Sequence, residues 1–217
     1  MRRPYEEGPV LTSVLLLAVL LIGCTSKQPE PTPTAPADMQ LLAVLPIESA
    51  ATAPGSAGSS APGEDAGLSV TAQLYRVLAD QTEFRVVPDL SVTDVLETPA
   101  VRRAGSLLER AVALGKEVGA DGVIFGRVLR YRNRVGTERG VTESASVAFE
   151  LSVVVVSSGT VLWQGSFDRT QESLGASMLD WVMFWSPPPR WISAAELTGQ
   201  GVDQLFGDMT AAINAAG

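Results

Sequence analysis

LLERAVALGKEVGADGVIFGRVLRYRNRV, residues 107–135, decides the fold, and it reads as a helix, a short joint and a strand. Leu107, Leu108, Ala111, Val112, Leu114 and Val118 recur at helical spacing, which gives the helix a single apolar face. Gly119 stands where that helix should stop, because glycine relaxes the left-handed backbone of a helix end. Ala120 and Asp121 form the corner. Val123, Ile124, Phe125 and Val128 then place apolar side chains on both faces of a strand, the pattern of a strand in the middle of a sheet. Such a strand needs cover on two sides, and the rest of the chain is read as supplying it.

Upstream, residues 40–47 form a first strand that ends at Pro46, since proline cannot donate to a ladder. Residues 48–66, rich in Ala, Gly, Ser and Pro, are too long for an ordinary loop and are read as a disordered insertion. Residues 67–81 are an amphipathic helix with Leu68, Ala72, Tyr75, Val77 and Leu78 as its buried set. Residues 84–88 are a second strand. Residues 89–98 are a turn or short helix capped by Asp89 or Ser91, and Pro99 and Ala100 open the helix that runs to Gly119. The alternation of strand and helix argues for βαβ crossovers.

Downstream, Arg130, Arg132 and Arg134 alternate with Leu129, Tyr131 and Asn133, so the strand is expected to run past the covered sheet into solvent. Residues 136–140 turn the chain. Val147, Phe149, Leu151, Val153 and Val155 share one face of the next strand, with Ala148, Glu150 and Ser152 on the other. Ser157-Ser158-Gly159 is a hairpin turn, after which Val161, Trp163 and Phe167 continue an apolar face. Leu174, Met178, Trp181 and Trp185 have helical spacing up to Pro187-Pro188-Pro189. Ser193 and Glu196 make a capping box for a last helix that reaches about Asn214, with Gly199 and Gly201 weakening its first turns. The predicted class is α/β: one sandwich domain over residues 40–217, with a mixed sheet (βαβαβ, then an antiparallel meander), packed helices and a C-terminal helix.

The first residues bear on location. Arg2 and Arg3 precede the short apolar run 10–21, and Leu21-Ile22-Gly23-Cys24 ends it. The run falls short of the ~20 apolar residues a membrane-spanning helix needs. It reads as a secretion signal over residues 1–23. Its ending resembles the lipobox of bacterial lipoproteins, which implies cleavage between Gly23 and Cys24 and acylation of Cys24, palmitate included. Cys24 is the single cysteine, so no disulfide forms within the chain. Thr25 rather than Asp follows it. By resemblance to the enterobacterial sorting rule, this implies the periplasmic face of the outer membrane. Residues 24–39 then comprise the lipidated cysteine and a linker, whose proline-rich part, 26–38 with Pro29, Pro31, Pro33 and Pro36, is able to reach roughly 40 Å at ~3.1 Å per residue. A net charge of -8 disfavours non-specific nucleic-acid binding, and the absence of histidine excludes Ser-His-Asp and Cys-His catalysis.

Two segments are candidates for contact. Arg127, Arg130, Arg132 and Arg134, with Arg139 nearby, form either an anionic docking patch or charged edges that guard the sheet against aggregation. Trp181, Phe184, Trp185 and Trp191 lie in WVMFWSPPPRW, which reads equally as a partner or membrane-surface contact and as a flap over the sheet. Glu138, Glu143, Glu150, Asp168 and Glu172 offer no visible pocket or metal pattern, so no catalytic residue, metal or cofactor is expected. Gly119, Gly122 and Gly126 do not make a dinucleotide fingerprint, which needs glycines between a strand and a following helix.

Three stretches carry a family resemblance: LLAVLPIES at residues 41–49, ALGKEVGADGVIFGRV at 113–128 and SSGTVLWQGSFD at 157–168. Together, over roughly residues 40–170, they resemble the bacterial periplasmic lipoproteins related to the TolB amino-terminal domain, the group of CsgG, LpoB and PelC. The resemblance implies an α/β sandwich used for protein–protein contact rather than catalysis. The chain is therefore expected to be a lipid-anchored accessory or assembly protein of the cell envelope, with an envelope protein as partner and oligomers possible. The alternative is an oligomeric subunit of a CsgG-type outer-membrane export pore, against which the charge of residues 127–135 counts. The insertion at 48–66 and the segment 181–191 depart from the group's pattern.

Overall fold

Gly122–Arg132 is an eleven-residue strand, β4, at the centre of the sheet. The computed structural model describes residues 39–50, 64–81, 84–138, 140–171 and 190–216. Parallel to β4 on one side runs β1 (Leu41–Val44), with Ala43 opposite Val123. Antiparallel on the other side runs β7 (Ser146–Val155), with Val153 opposite Ile124. Strand β3 (Arg85–Val86) extends the parallel side and β8 (Thr160–Thr170) the antiparallel side, in the order β3-β1-β4-β7-β8. A short strand β2 (Glu48–Ser49) pairs with β4 at Arg127 and Val128. The mixed sheet is the one the sequence predicts.

Two cores follow from the alternation of side chains along the strands. On one face Leu42, Val44, Ile124, Phe149, Leu151 and Val153 pack against Val70 and Leu74 of α1 (Glu64–Ala79) and against Leu197, Leu205 and Met209 of α5 (Ala194–Ala216). On the other face Ala43, Val123, Phe125 and Val154 pack against three helices. These are α2 (Asp89–Leu96) through Val92, α3 (Pro99–Arg102) through Val101, and α4 (Leu107–Val118) through Ala111 and Leu114. Outside the main sheet, β5 (Val135–Thr137) and β6 (Gly140–Glu143) form a small hairpin.

The ends of α4 show why it is a separate helix. Ser106 Oγ accepts from the Glu109 amide at 3.1 Å, and the Glu109 carboxylate accepts from the Ser106 amide at 3.3 Å, a closed capping box. This box divides the single helix expected from Pro99 to Gly119 into α3 and α4. Gly119 ends α4 with φ 67°, as read from the sequence.

Other differences have local causes. Met39, placed in the linker by sequence, is buried in the core. The stretch 48–66 begins with β2 and ends in α1, whose first residues include the buried Ala66; residues 51–63 lie outside the described residues. In α1 the stripe facing the sheet is Ala66, Val70, Leu74, Val77 and Leu78, while Leu68 is 64% exposed and Ala72 is exposed. Gly67 explains this phase: a Cβ there would lie 2.0 Å from the Ile47 carbonyl oxygen, so residue 67 meets the backbone and residue 68 turns outward. Helix α2 has Pro88 at its N-cap and no side-chain cap bond, so neither Asp89 nor Ser91 caps it. After Val128 the strand stays paired, with Arg130, Tyr131 and Arg132 opposite Ala148, Val147 and Ser146 beyond a register shift at Leu129. A second shift, at Leu162, puts Val161 on the α4 face and Trp163 and Phe167 on the α5 face, so these three do not share a face.

Gly201 is not simply a weak helix residue. A Cβ there would lie 2.7 Å from the Phe167 ring and 2.9 Å from Phe149, so α5 presses its backbone onto the sheet at this point. Gly207, six residues on, has nothing within 4 Å. Gly201→Ala is expected to destabilise by about 1–3 kcal/mol despite alanine's better helix propensity. Gly207→Ala should gain up to about 1 kcal/mol. Urea unfolding of both variants checks the opposite signs.

Candidate functional site on the open half of the sheet

The covering helices differ in length, and this creates the site. Helix α5 has 23 residues and spans about 34 Å at 1.5 Å per residue, close to the roughly 36 Å of the eleven-residue β4. Helix α4 has 12 residues and spans only about 18 Å. It starts above Phe125 and Gly126, so its cover stops at Arg127. Beyond that point one face of β4, β7 and β8 carries Arg127, Arg130, Arg132, Glu150, Gln164, Ser166 and Asp168 without a helix above it among the described residues.

A cleft of about 370 Å³ marks the boundary. Leu107, Leu108 and Phe125 give it an apolar wall, and Arg127, Glu150, Ser152 and Gln164 give it a polar floor. Glu48 stands at its rim in an ion pair with Arg110 of α4. Arg127 Nε donates to Glu150 Oε2 at 3.3 Å across neighbouring strands. Arg130 reaches further: its Nε donates to Ser146 Oγ at 2.6 Å and its Nη2 pairs with Asp168 on β8. That side chain lies across β7, which accounts for Ser146 and Ala148 being buried on an otherwise open face.

The arginines predicted as a docking patch therefore separate. Arg127, Arg130 and Arg132 lie on the open face. Arg134 turns away, donating to the Trp191 carbonyl and lying 3.9 Å from Glu138. Arg132 is exposed and has no ion-pair partner among the described residues. Arg139 lies outside the described residues. The patch is a row of ion pairs with one unpaired member, so its field is short-ranged and its directional hydrogen bonds matter more than its net charge.

A second cluster stands where the chain returns after residue 171. Gln171 Nε2 donates to the Arg190 carbonyl at 3.0 Å, and Gln171 Oε1 accepts from the Ile192 amide at 2.9 Å. Asn133 Oδ1 accepts from the Ala194 amide at 3.1 Å, and the Trp191 amide donates to the Glu138 carbonyl at 3.0 Å. Glu138 also pairs with Arg190 at 3.8 Å. Trp191 is thus held half-buried at the base of this return. Trp181, Phe184, Trp185 and Glu172 lie outside the described residues, as do Gly23 and Cys24. Sequence reading missed Asn133 and Gln171, whose partners lie 61 and about 20 residues away and leave no local signal.

Glu143 is exposed on β6. Among the described residues no group of three or more Asp, Glu, Cys or His side chains is placed to hold a metal ion. Burial, and secondarily the charge of Asp89, pushes the Tyr75 hydroxyl up to about 12. That hydroxyl has no hydrogen-bond partner among the described residues.

No protein-family description matches the sequence, and no curated protein matches it. Among solved structures, the chain is similar to the LpoB C-terminal domain from Salmonella enterica, with 16% identity, 65% of this chain and 87% of that chain covered, and a TM-score of 0.40. It is also similar to PelC, a dodecamer, from Paraburkholderia phytofirmans, with 15% identity, 79% and 89% covered, and a TM-score of 0.43. Lipoprotein GNA1162 from Neisseria meningitidis gives 16% identity, 77% and 99% covered, and a TM-score of 0.41.

Acidification tests the return cluster. The Ser193 amide, and next the Arg190 guanidinium, hold the Glu196 carboxyl down at about 2 against an ordinary 4.5. A depressed carboxyl contributes stability above its unfolded value and loses it as pH falls through its folded value. The contribution is thus expected to fade between about pH 4.5 and about pH 2. Glu196→Gln keeps a capping side chain and removes the charge. Its unfolding midpoint should fall less between pH 6 and pH 2.5 than that of the unaltered protein.

Proposed function

We propose that this chain is a lipid-anchored accessory protein of the bacterial cell envelope that acts by binding another envelope protein and carries out no chemistry of its own. Two features together support the reading: Cys24 closes an apolar run whose ending resembles a lipobox, and half of one sheet face has no helix above it among the described residues. A rigid, open face of ion-paired and hydroxyl side chains suits reversible protein contact, because its groups are already oriented before a partner arrives. Several acyl chains on Cys24 would hold the protein firmly, since one chain binds a membrane only reversibly. Thr25 favours the periplasmic face of the outer membrane. The proline-rich residues 24–38 then let the domain work away from the lipid surface. In this reading Arg127, Arg130 and Arg132 contact the partner. Trp181, Phe184, Trp185 and Trp191 form a second contact at the chain return. The strands long enough for a barrel, β4, β7 and β8, have one face covered by α1 and α5, and no observation favours the export-pore reading over this one.

Two measurements test it. Radioactive palmitate should label the protein in cells and should not label the Cys24→Ser variant. A photo-reactive residue in place of Arg132 should join the chain to another envelope protein, whereas the same group in place of Leu90, which is 79% exposed on α2, should not. An unlabelled protein removes the anchor, and an absence of adducts at 132 removes the contact face.

A further inference from the structure

The main sheet ends on one side in β3, two residues long, and on the other in β8, eleven residues long. Strand β8 pairs with β7 alone, and among the described residues no other backbone group bonds to its outer edge. A long open edge is a template for another strand, and proteins usually blunt it. Here the blunting is confined to the ends: the register shift at Leu162 on one side, and Asp168 and Arg169 on the other. Between them runs Trp163-Gln164-Gly165-Ser166-Phe167, which has no charge and no proline.

This run is palindromic in chemistry: aromatic, polar, glycine, polar, aromatic. Its faces agree with that order. Trp163 and Phe167 lie opposite Val153 and Phe149 on the α5 face, and Gln164 and Ser166 lie opposite Ser152 and Glu150 on the open face. We propose that the outer edge of β8 is a self-pairing surface, on which two copies of this chain join antiparallel about a two-fold axis at Gly165. In that register Trp163 of each copy faces Phe167 of the other, and Gln164 faces Ser166. The two-fold stands perpendicular to the sheet, so core side chains stay on the core face in both copies. Trp163 is half-buried and folds over Gly165, where a Cβ would lie 2.4 Å from its ring. Glycine on the axis therefore leaves room for both indoles, and aromatic cross-strand pairs are among the more stabilising ones. The bulge and the charged pair fall outside the matched run, where they limit pairing to one copy. A second copy is the occupant because the run is complementary to itself; a different strand would need no such symmetry. The self-pairing does not depend on the anchor.

Disulfide trapping reads the register directly. In full-length chains carrying Cys24→Ser, the introduced thiols are the only ones. Gln164→Cys mixed with Ser166→Cys should crosslink several-fold more than either variant with itself, because directly opposed strand residues fall within disulfide reach and diagonal ones lie near its limit. In sedimentation, the unaltered chain should be a dimer. The Gln164→Lys, Ser166→Lys double variant should dissociate at least tenfold more readily with an unchanged circular dichroism spectrum, since both side chains are exposed. A monomeric unaltered chain, a dimer indifferent to the lysines, or self-crosslinks that exceed the mixed one would overturn the proposal. So would crosslinks only to a different protein, which would give the edge to another strand donor.

Discussion

A strand with apolar side chains on both faces has to be kept from water on both, and β4 imposes that condition on everything around it. Val123 and Phe125 face one core, and Ile124 and Val128 face the other. The chain meets the condition with helices of different length. Because a helix rises less than half as far per residue as a strand, a twelve-residue helix cannot match an eleven-residue strand, whereas a 23-residue helix can. The residues of β4 change character where the shorter helix ends: Phe125 is buried, and Arg127 is exposed. Among the described residues, the half-face left without a helix is the geometric remainder of that mismatch, and its side chains are polar or charged.

What makes the remainder useful is that it is held still. Arg130 straps β4, β7 and β8 together through Ser146 and Asp168, and Ser146 Oγ also lies 2.6 Å from Thr170 Oγ1. The opposite face is pinned by α5, whose start is tied to β4 through Asn133 and to the end of β8 through Gln171. A partner binding such a surface loses little conformational entropy on its account. In the proposed reading, a proline-rich tether would add a restricted search volume and raise the effective concentration of the domain for anything on the same membrane.

The features of this fold that are legible in the sequence are those fixed by neighbours in the chain. The alternation around Phe149 and Val153 gives the faces of β7, Gly119 ends α4, and Ser193 with Glu196 starts α5 as a capping box, with the Glu196 amide 3.2 Å from Ser193 Oγ. The box at Ser106 has the same signature but is overshadowed by Pro99, itself a good helix start. Single-residue register shifts leave no periodic trace, so Val161 is assigned to the wrong face. Gly201 reads as a helix weakener because its reason lies in the rings of Phe149 and Phe167, far away in sequence. The site divides the same way. The arginines stand out by type and spacing, but their partners on β7 and β8, and the departure of Arg134 toward Trp191, depend on how the strands pair.

The most direct test of the central role of β4 is native-state amide hydrogen exchange along it. If this strand is the element on which both cores depend, the amides of Val123, Ile124 and Phe125 should be among the slowest in the chain and should open only with global unfolding. Those of Arg130 to Arg132, where no helix among the described residues covers one face, should exchange through smaller openings. Exchange at Val123–Phe125 with a lower free energy than the β7–β8 hairpin would contradict that role, because the sheet would then hold together without its centre.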